Sequence, residues 1–255
     1  LIAGLPYEDF VSFGNSFDEV HALMADMLQL GFLKLLKGSG IRNRAYEYGI
    51  EYNSFSPYEV LKTNWISYEE IIVLKEVEHV LELYYNSGRF KNSLKYIFKN
   101  CYTSFFQFYM DFAAYWRINN LYAASQSTKE LYNIIYNFAE SKKLMTIQLN
   151  ELIKLDWLLY YNNGNMPVNI HRFDHSKVKN TIQNYIKINN TLAENLLLND
   201  VTDYRYLVKN IYYEVFCTDV LSFHQEEVEN NYVVFFAKLD SGEVNTYSIA
   251  LADII

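Results

Sequence analysis

Apolar positions along this chain follow three rhythms in turn, and the changes between them suggest its organisation. Residues 1–5 form a short apolar run stopped by Gly4-Leu5-Pro6, which reads as a buried strand. From about Asp9 the spacing becomes three and four, with Phe10, Phe13, Phe17, Val20, Met24 and Met27 on one face of an expected helix. The run from Leu28 to Leu33 reads as a second buried strand. Strand, helix and strand over about 30 residues is the size of a βαβ unit, and one such unit lacks the neighbours a parallel sheet needs.

After Lys37-Gly38-Ser39-Gly40 the pattern turns helical with sharp starts. Ser56-Pro57-Tyr58-Glu59 reads as a cap, a proline at the first helical position and a reaching glutamate. Capping boxes also stand at Ser67-Tyr68-Glu69-Glu70, Ser104-Phe105-Phe106-Gln107 and Ser127-Thr128-Lys129-Glu130. The first precedes Val73, Val77, Leu81 and Tyr84; the second precedes Phe108, Phe112 and Trp116; the third precedes Leu131, Ile134, Ile135 and Phe138. Further helices are expected at about 145–160 and 175–188, with Asp174 capping the latter. The tail alternates differently. Residues 211–220, 232–239 and 243–250 are β-branched and aromatic, and Asp240-Ser241-Gly242 reads as a hairpin turn. The expected fold is mainly α with a small β component. It comprises a β/α remnant, a multi-helix domain and a closing antiparallel hairpin or three-stranded sheet.

Composition narrows the function. The net charge is −8, which argues against nucleic acid and anionic lipid as partners. No apolar run reaches the roughly 18–20 residues of a membrane span, and LIAGLPYEDF has no basic region or cleavage site of a signal peptide. The lone Cys101 and Cys217 fit neither an Fe–S cluster nor a cysteine-rich zinc site, and point to a reducing, cytoplasmic setting. The start on an apolar run without Met reads as a fragment. Abundant Asn, Lys, Ile and Tyr suggest an AT-rich bacterial genome.

Several groupings could carry chemistry. Glu76-x-x-His79 has the spacing of a di-iron pair, with Asp18-x-x-His21 as the only near match, but such sites need further carboxylates. A solvated helix face explains it better. His171 and His175 have metal-ligand spacing without the intervening glutamate, so coincidence is the better reading. His224 with Glu226 and Glu227 reads as a solvated loop. Lys34, Lys37, Arg42 and Arg44, with Gly38 and Gly40, form a basic run able to cradle an anion, though it matches no phosphate-loop pattern.

Two stretches carry a resemblance. Leu1-Ile2-Ala3-Gly4-Leu5-Pro6-Tyr7-Glu8-Asp9 resembles the "DLIxGLPGE" segment of radical S-adenosylmethionine enzymes. LQLGFLKLLKGS resembles the next barrel strand and loop, and the run through PYEVLKTNWISYEEI to YYNSGRFKNSL resembles one cobalamin-binding subgroup with a C-terminal domain of unassigned function. The resemblance implies that residues 1–40 are the end of a β/α barrel and 41–255 a helical accessory domain. It implies a parent polypeptide with an upstream cobalamin domain and a barrel whose [4Fe–4S] cluster cleaves S-adenosylmethionine. Gly4, Leu5 and Pro6 would line the cofactor end, with Gln29 and Lys34 toward the substrate because carboxyl ends of barrel strands face the site. The family position after Pro is commonly Gly and here is Tyr7.

The expected role is therefore an accessory part, catalytically silent by itself, that covers the barrel, shapes substrate access or binds a partner. An orphan strand edge would also permit self-association. The rival is an independent helical interaction module, whose residues 1–40 would pack fully on the helices. A third reading is a metal-dependent helical enzyme using Glu76, His79, His171 or His175.

Overall fold

Ile2–Ala3 (β1) and Gly31–Phe32 (β2) pair in parallel, Ile2 opposite Gly31 and Ala3 opposite Phe32. Helix α1 (Phe10–His21) crosses between them. In the computed structural model, residues 1–161, 166–170, 172–189, 191–198, 210–222, 231–239 and 241–254 are described. The chain folds as two compact units, Leu1–Ser127 and Thr128–Ile255. Residues 1–40 fold within the first unit. The expected 40/41 boundary concerns origin, on which compactness has no bearing.

Both strands are shorter than the apolar runs that contain them. Gly4, at φ 87, turns the chain out of β1. The start of α1 follows the sequence closely: Asp9 accepts the Ser12 N–H at 2.8 Å while the Ser12 hydroxyl accepts the Asp9 N–H at 2.9 Å. Its Phe13 and Phe17 are fully buried, but the helix ends at His21. Met24 takes φ 53 beyond it, so Met24 and Met27 leave the expected face and stand exposed. Asp18 reaches from α1 to accept the Phe106 N–H at 2.7 Å, satisfying a donor at the start of α5 (Phe105–Ile118).

Short helix α2 (Gly40–Asn43) follows β2, and then β3 (Glu51–Tyr52) pairs antiparallel with β4 (Val60–Lys62). This small sheet replaces the helix expected from Ser56. The Ser56–Pro57 peptide is cis and Tyr58 has φ 59, which makes a turn there. The backbone groups around it bond across strands: Asn53 N–H to Glu59 O, and Val60 N–H to Leu33 O, both at 2.8 Å. Ladder partners thus supply what a helix start would have supplied, and the cap-like residues serve the turn.

The remaining helices of this unit follow their signals. The Ser67 hydroxyl accepts the Glu70 N–H, and the Glu70 carboxylate accepts the Ser67 N–H, at the start of α3 (Tyr68–Leu81). A π-helical turn, Glu82–Asn86, extends it. Helix α4 (Lys91–Asn100) leads to α5, whose Ser104 cap accepts the Gln107 N–H while the Gln107 side chain bonds Asp111 instead. The π-helical turn that extends α3 packs on α5 through Tyr84, Phe112 and Trp116, all buried.

In the second unit, α6 (Thr128–Ser141) buries Leu131, Ile134, Ile135 and Phe138, as the spacing requires. Helix α7 (Ile147–Tyr160) is buried on every side over 151–158, charges included. A short turn, His175–Lys177, precedes α8 (Lys179–Ile188), and α9 (Leu192–Asn195) follows. Asp174 caps that turn by accepting the Ser176 N–H at 3.0 Å.

Strands β5 (Ile211–Phe216), β6 (Tyr232–Lys238) and β7 (Val244–Ala250) form an antiparallel sheet in that order. Ile211, Val215, Val233 and Phe235 pack with Ile182, Ile186, Leu192 and Leu196 of α8 and its neighbours. Tyr212, Glu214 and Phe216 alternate to the other face. There Tyr212 donates to Leu158 O at 2.7 Å, and Lys154 Nζ lies 4.4 Å over the Phe216 ring. The protein is mainly α with a small β part ending in a three-stranded antiparallel sheet. No helix among the described residues is long and apolar enough to cross a membrane. The loop-like residues 162–165 and the hairpin residue Asp240 lie outside the described residues.

Candidate functional site

The carboxyl ends of β1 and β2 lie side by side because the strands are parallel. Gly4 follows β1 with its backbone against β4: a Cβ there would stand 2.7 Å from Val60 Cγ1. Leu5 is exposed and Pro6 half-buried. Tyr7 has φ 70, the left-handed region that favours glycine. A tyrosine thus takes a backbone conformation here that glycine adopts at least cost. That ring is largely exposed and leans on Trp65 at 4.7 Å and Tyr48 at 5.9 Å.

Lys34, exposed, follows β2 on the same side, and its backbone bridges to Glu59. The Glu59 carboxylate is paired with Lys75, whose Nζ lies 4.4 Å over the Phe32 ring. The basic run continues as a rim laid over aromatic rings. Arg42 donates to Leu35 O at 2.9 Å, with its guanidinium 5.1 Å over Tyr52 and 5.0 Å over Tyr58. Arg44 lies over Tyr48 and Lys37 over Tyr58. This arrangement can draw an anion by charge and stack a flat group, and it fixes its arginines by cation–π contact. Gln29 does not join it. It precedes β2, so it lies at the amino end of the pair, where its carbonyl accepts from the Leu1 amino group at 2.8 Å.

The described residues with metal-ligand spacing have other neighbours. Both Glu76 carboxylate oxygens accept from Arg117 Nε, at 2.9 and 3.0 Å. His79 meets the edges of Trp116 and Tyr122, each at 5.4 Å, and burial pushes its pKa down. His171, His224, Glu226 and Glu227 lie outside the described residues. Among the described residues no group of three or more His, Cys, Asp or Glu side chains is placed to hold a metal ion. Cys101 belongs to the first unit and Cys217 to the second, both free thiols raised by burial. The donor set of this chain therefore does not fit a [4Fe–4S] cluster, which needs three or four thiolates together.

Two polar groups are buried in a way that no pattern in the sequence indicates. His21 is 1% exposed and enclosed by Phe17, Tyr85, Phe98, Phe105 and Tyr109 rings. Desolvation holds its pKa down to about 4. On β5, fully buried Glu214 accepts from Arg172 Nε at 2.9 Å and bonds His175 Nε2 at 2.6 Å. Burial pushes its pKa up, but the hydrogen bond and charge of His175, with Lys154 and Arg172, bring it below the usual carboxylate value. Nearby, Lys154 Nζ pairs with Glu151 at 2.9 Å and donates to Val215 O at 3.1 Å. Alternation places Glu214 on a sheet face, but only the covering helix makes that face a buried one.

The family model described as "Protein of unknown function (DUF4080)" matches residues 46–236, more than half of the chain, and the chain belongs to that family. The match begins beyond β2. No curated protein matches the chain.

Proposed function

We propose that this member of the DUF4080 family is the C-terminal accessory portion of a cobalamin-dependent radical S-adenosylmethionine Fe–S enzyme. In this reading residues 1–40 complete the end of a β/α barrel, and the helical remainder covers it, shapes substrate access or docks a partner. One observation carries the reading. Leu1 O and Ala3 O accept from Gly31 and Leu33 N–H, at 3.0 and 2.9 Å, so the intervening Ile2 turns its own N–H and C=O to the opposite edge. No described strand pairs along that edge, and Ile2 is 51% exposed. A parallel pair with one open edge is the form a terminal barrel segment takes when another strand lies beside it. Gly4, Leu5 and Pro6 would then border the cofactor, and Lys34 with the basic rim would face an anionic substrate or cofactor group. A closed cover suits radical chemistry, which needs water and side reactions excluded.

The test is the native-length gene product, purified without oxygen and analysed for iron, sulfide and cobalamin. The expected result is about four iron and four sulfide per chain, with bound cobalamin. A native chain that begins near Leu1 and carries no metal overturns the reading. An independent helical interaction module then takes its place. That second reading has its own support: Phe13 and Phe17 are fully buried against Phe106 and Tyr109, and Asp18 caps α5, so residues 10–21 are built into the helices.

A further inference from the structure

We propose that the free edge of β7 pairs two copies of this chain into a two-fold dimer, strand against antiparallel strand. β7 closes the C-terminal sheet on one side, and no described strand lies beyond it. All of its residues are half-buried, whereas Val233–Ala237 of β6 are buried.

The ladder shows which backbone groups are left over. The Leu251 N–H bonds Asn231 O and the Leu239 N–H bonds Glu243 O, both at 2.8 Å, one at each end of the β6–β7 pairing. Between them the register is unbroken and hydrogen-bonded pairs alternate, so Asn245, Tyr247 and Ile249 direct their backbone groups to β6. Val244, Thr246, Ser248 and Ala250 turn theirs to the open edge. Among the described residues these outward groups have no partner. The opposite edge of the sheet is closed by side chains at Val215. Its N–H donates to the Glu214 carboxylate at 3.0 Å, and its C=O accepts from Lys154 Nζ at 3.1 Å. β7 also lacks the usual guards of an edge: no charge, proline or bulge interrupts Val244–Ala250.

The residues of that edge are complementary to themselves. A two-fold axis runs the second β7 antiparallel to the first. With Tyr247 opposite Tyr247 of the second copy, Thr246 meets Ser248 and Val244 meets Ala250, so every outward group of both strands is bonded. Moving the axis by one residue leaves Val244 or Ala250 of each strand unpaired. The same register sets Glu243 against Leu251 rather than another carboxylate, so no like charges meet along the seam. Tyr247 and Ile249 pack on the α8 side. There Tyr185 bonds Tyr247, and a groove lined by Tyr185, exposed Ile188 and Ile254 brings apolar surface to the seam. This edge belongs to the second unit and does not depend on the radical-enzyme reading.

Sedimentation of the full chain over a concentration series should show a monomer–dimer equilibrium. Its dissociation constant should be on the order of 10–100 μM, because one edge pair is a small interface. Thr246→Pro removes an N–H that the β6 ladder does not use. The monomer should keep its fold, and the dissociation constant should rise at least about tenfold. Tyr247→Cys, in a Cys101→Ser, Cys217→Ser background, reads the register. Mild oxidation should join two copies, since facing residues of a non-hydrogen-bonded pair have Cα atoms about 4.5 Å apart, within disulfide reach. Asn245→Cys, opposite Ile249 of the second copy, should not cross-link. If the proline variant fails to fold, the two cysteine variants decide. A chain that stays monomeric throughout overturns the proposal. So does a dimer that Thr246→Pro leaves intact, or equal cross-linking by the two cysteines.

Discussion

Acid should loosen the first unit through His21. The imidazole is 1% exposed, lies 4.1 Å from the Phe105 ring in a stacked pose, and sits 3.4 Å from the Tyr109 hydroxyl. Desolvation lowers its pKa from 6.5 to about 4, against smaller upward pulls from its own backbone and from Asp18. Between those values the unfolded chain takes up a proton that the native chain refuses. Stability is therefore retained above pH 6.5 and lost as the pH falls. The loss reaches about 2 kcal/mol at pH 5 and about 3 kcal/mol at pH 4. His21→Phe keeps an aromatic ring in the same enclosure and removes the proton. Urea unfolding of both proteins at pH 7, 6 and 5, probed at α1 and α5, gives the difference, in which titrations common to both cancel. The variant should gain on the wild type by about 2 kcal/mol between pH 7 and pH 5. A constant difference, or imidazole NMR titrations that all fall at pH 6 or above, would refute the desolvation argument.

Three further outcomes are expected. Gly4→Ala should destabilise the first unit by about 2–5 kcal/mol, combining left-handed backbone cost and overpacking on Val60. Adding Val60→Ala should return only the packing part, read from urea midpoints. Lys154→Met should cost about 3–5 kcal/mol because it strands the buried Glu151 carboxylate. The double variant with Glu151→Gln should recover most of that loss, and a thermal double-mutant cycle on the second unit measures the coupling. Ser67→Ala should cost about 1 kcal/mol through the lost cap of α3, and equal stability of the two proteins would mean the Glu70 carboxylate holds the helix start without it.

Local chemistry in the sequence determined where four of the longer helices start and which faces they bury. Asp9, Ser67, Ser104 and Thr146 each cap a helix by accepting a backbone N–H three residues on, an interaction contained within four residues. The β5–β7 strands were legible for the same reason, since β-branched alternation and a glycine turn are short-range signals. Which end of the β1–β2 pair Gly4, Pro6, Lys34 and Gln29 occupy is decided by strand register, a tertiary property that the local sequence does not carry. Ser56-Pro57-Tyr58-Glu59 carries a helix-start pattern, yet its cross-strand backbone bonds go to residues 35 and 53. No local preference outweighs a ladder supplied by distant strands. The burial of His21 and Glu214 also came from the tertiary structure alone. Each is polar by type, and only the rings or helix folded over it remove the water, shift its proton affinity and make it consequential.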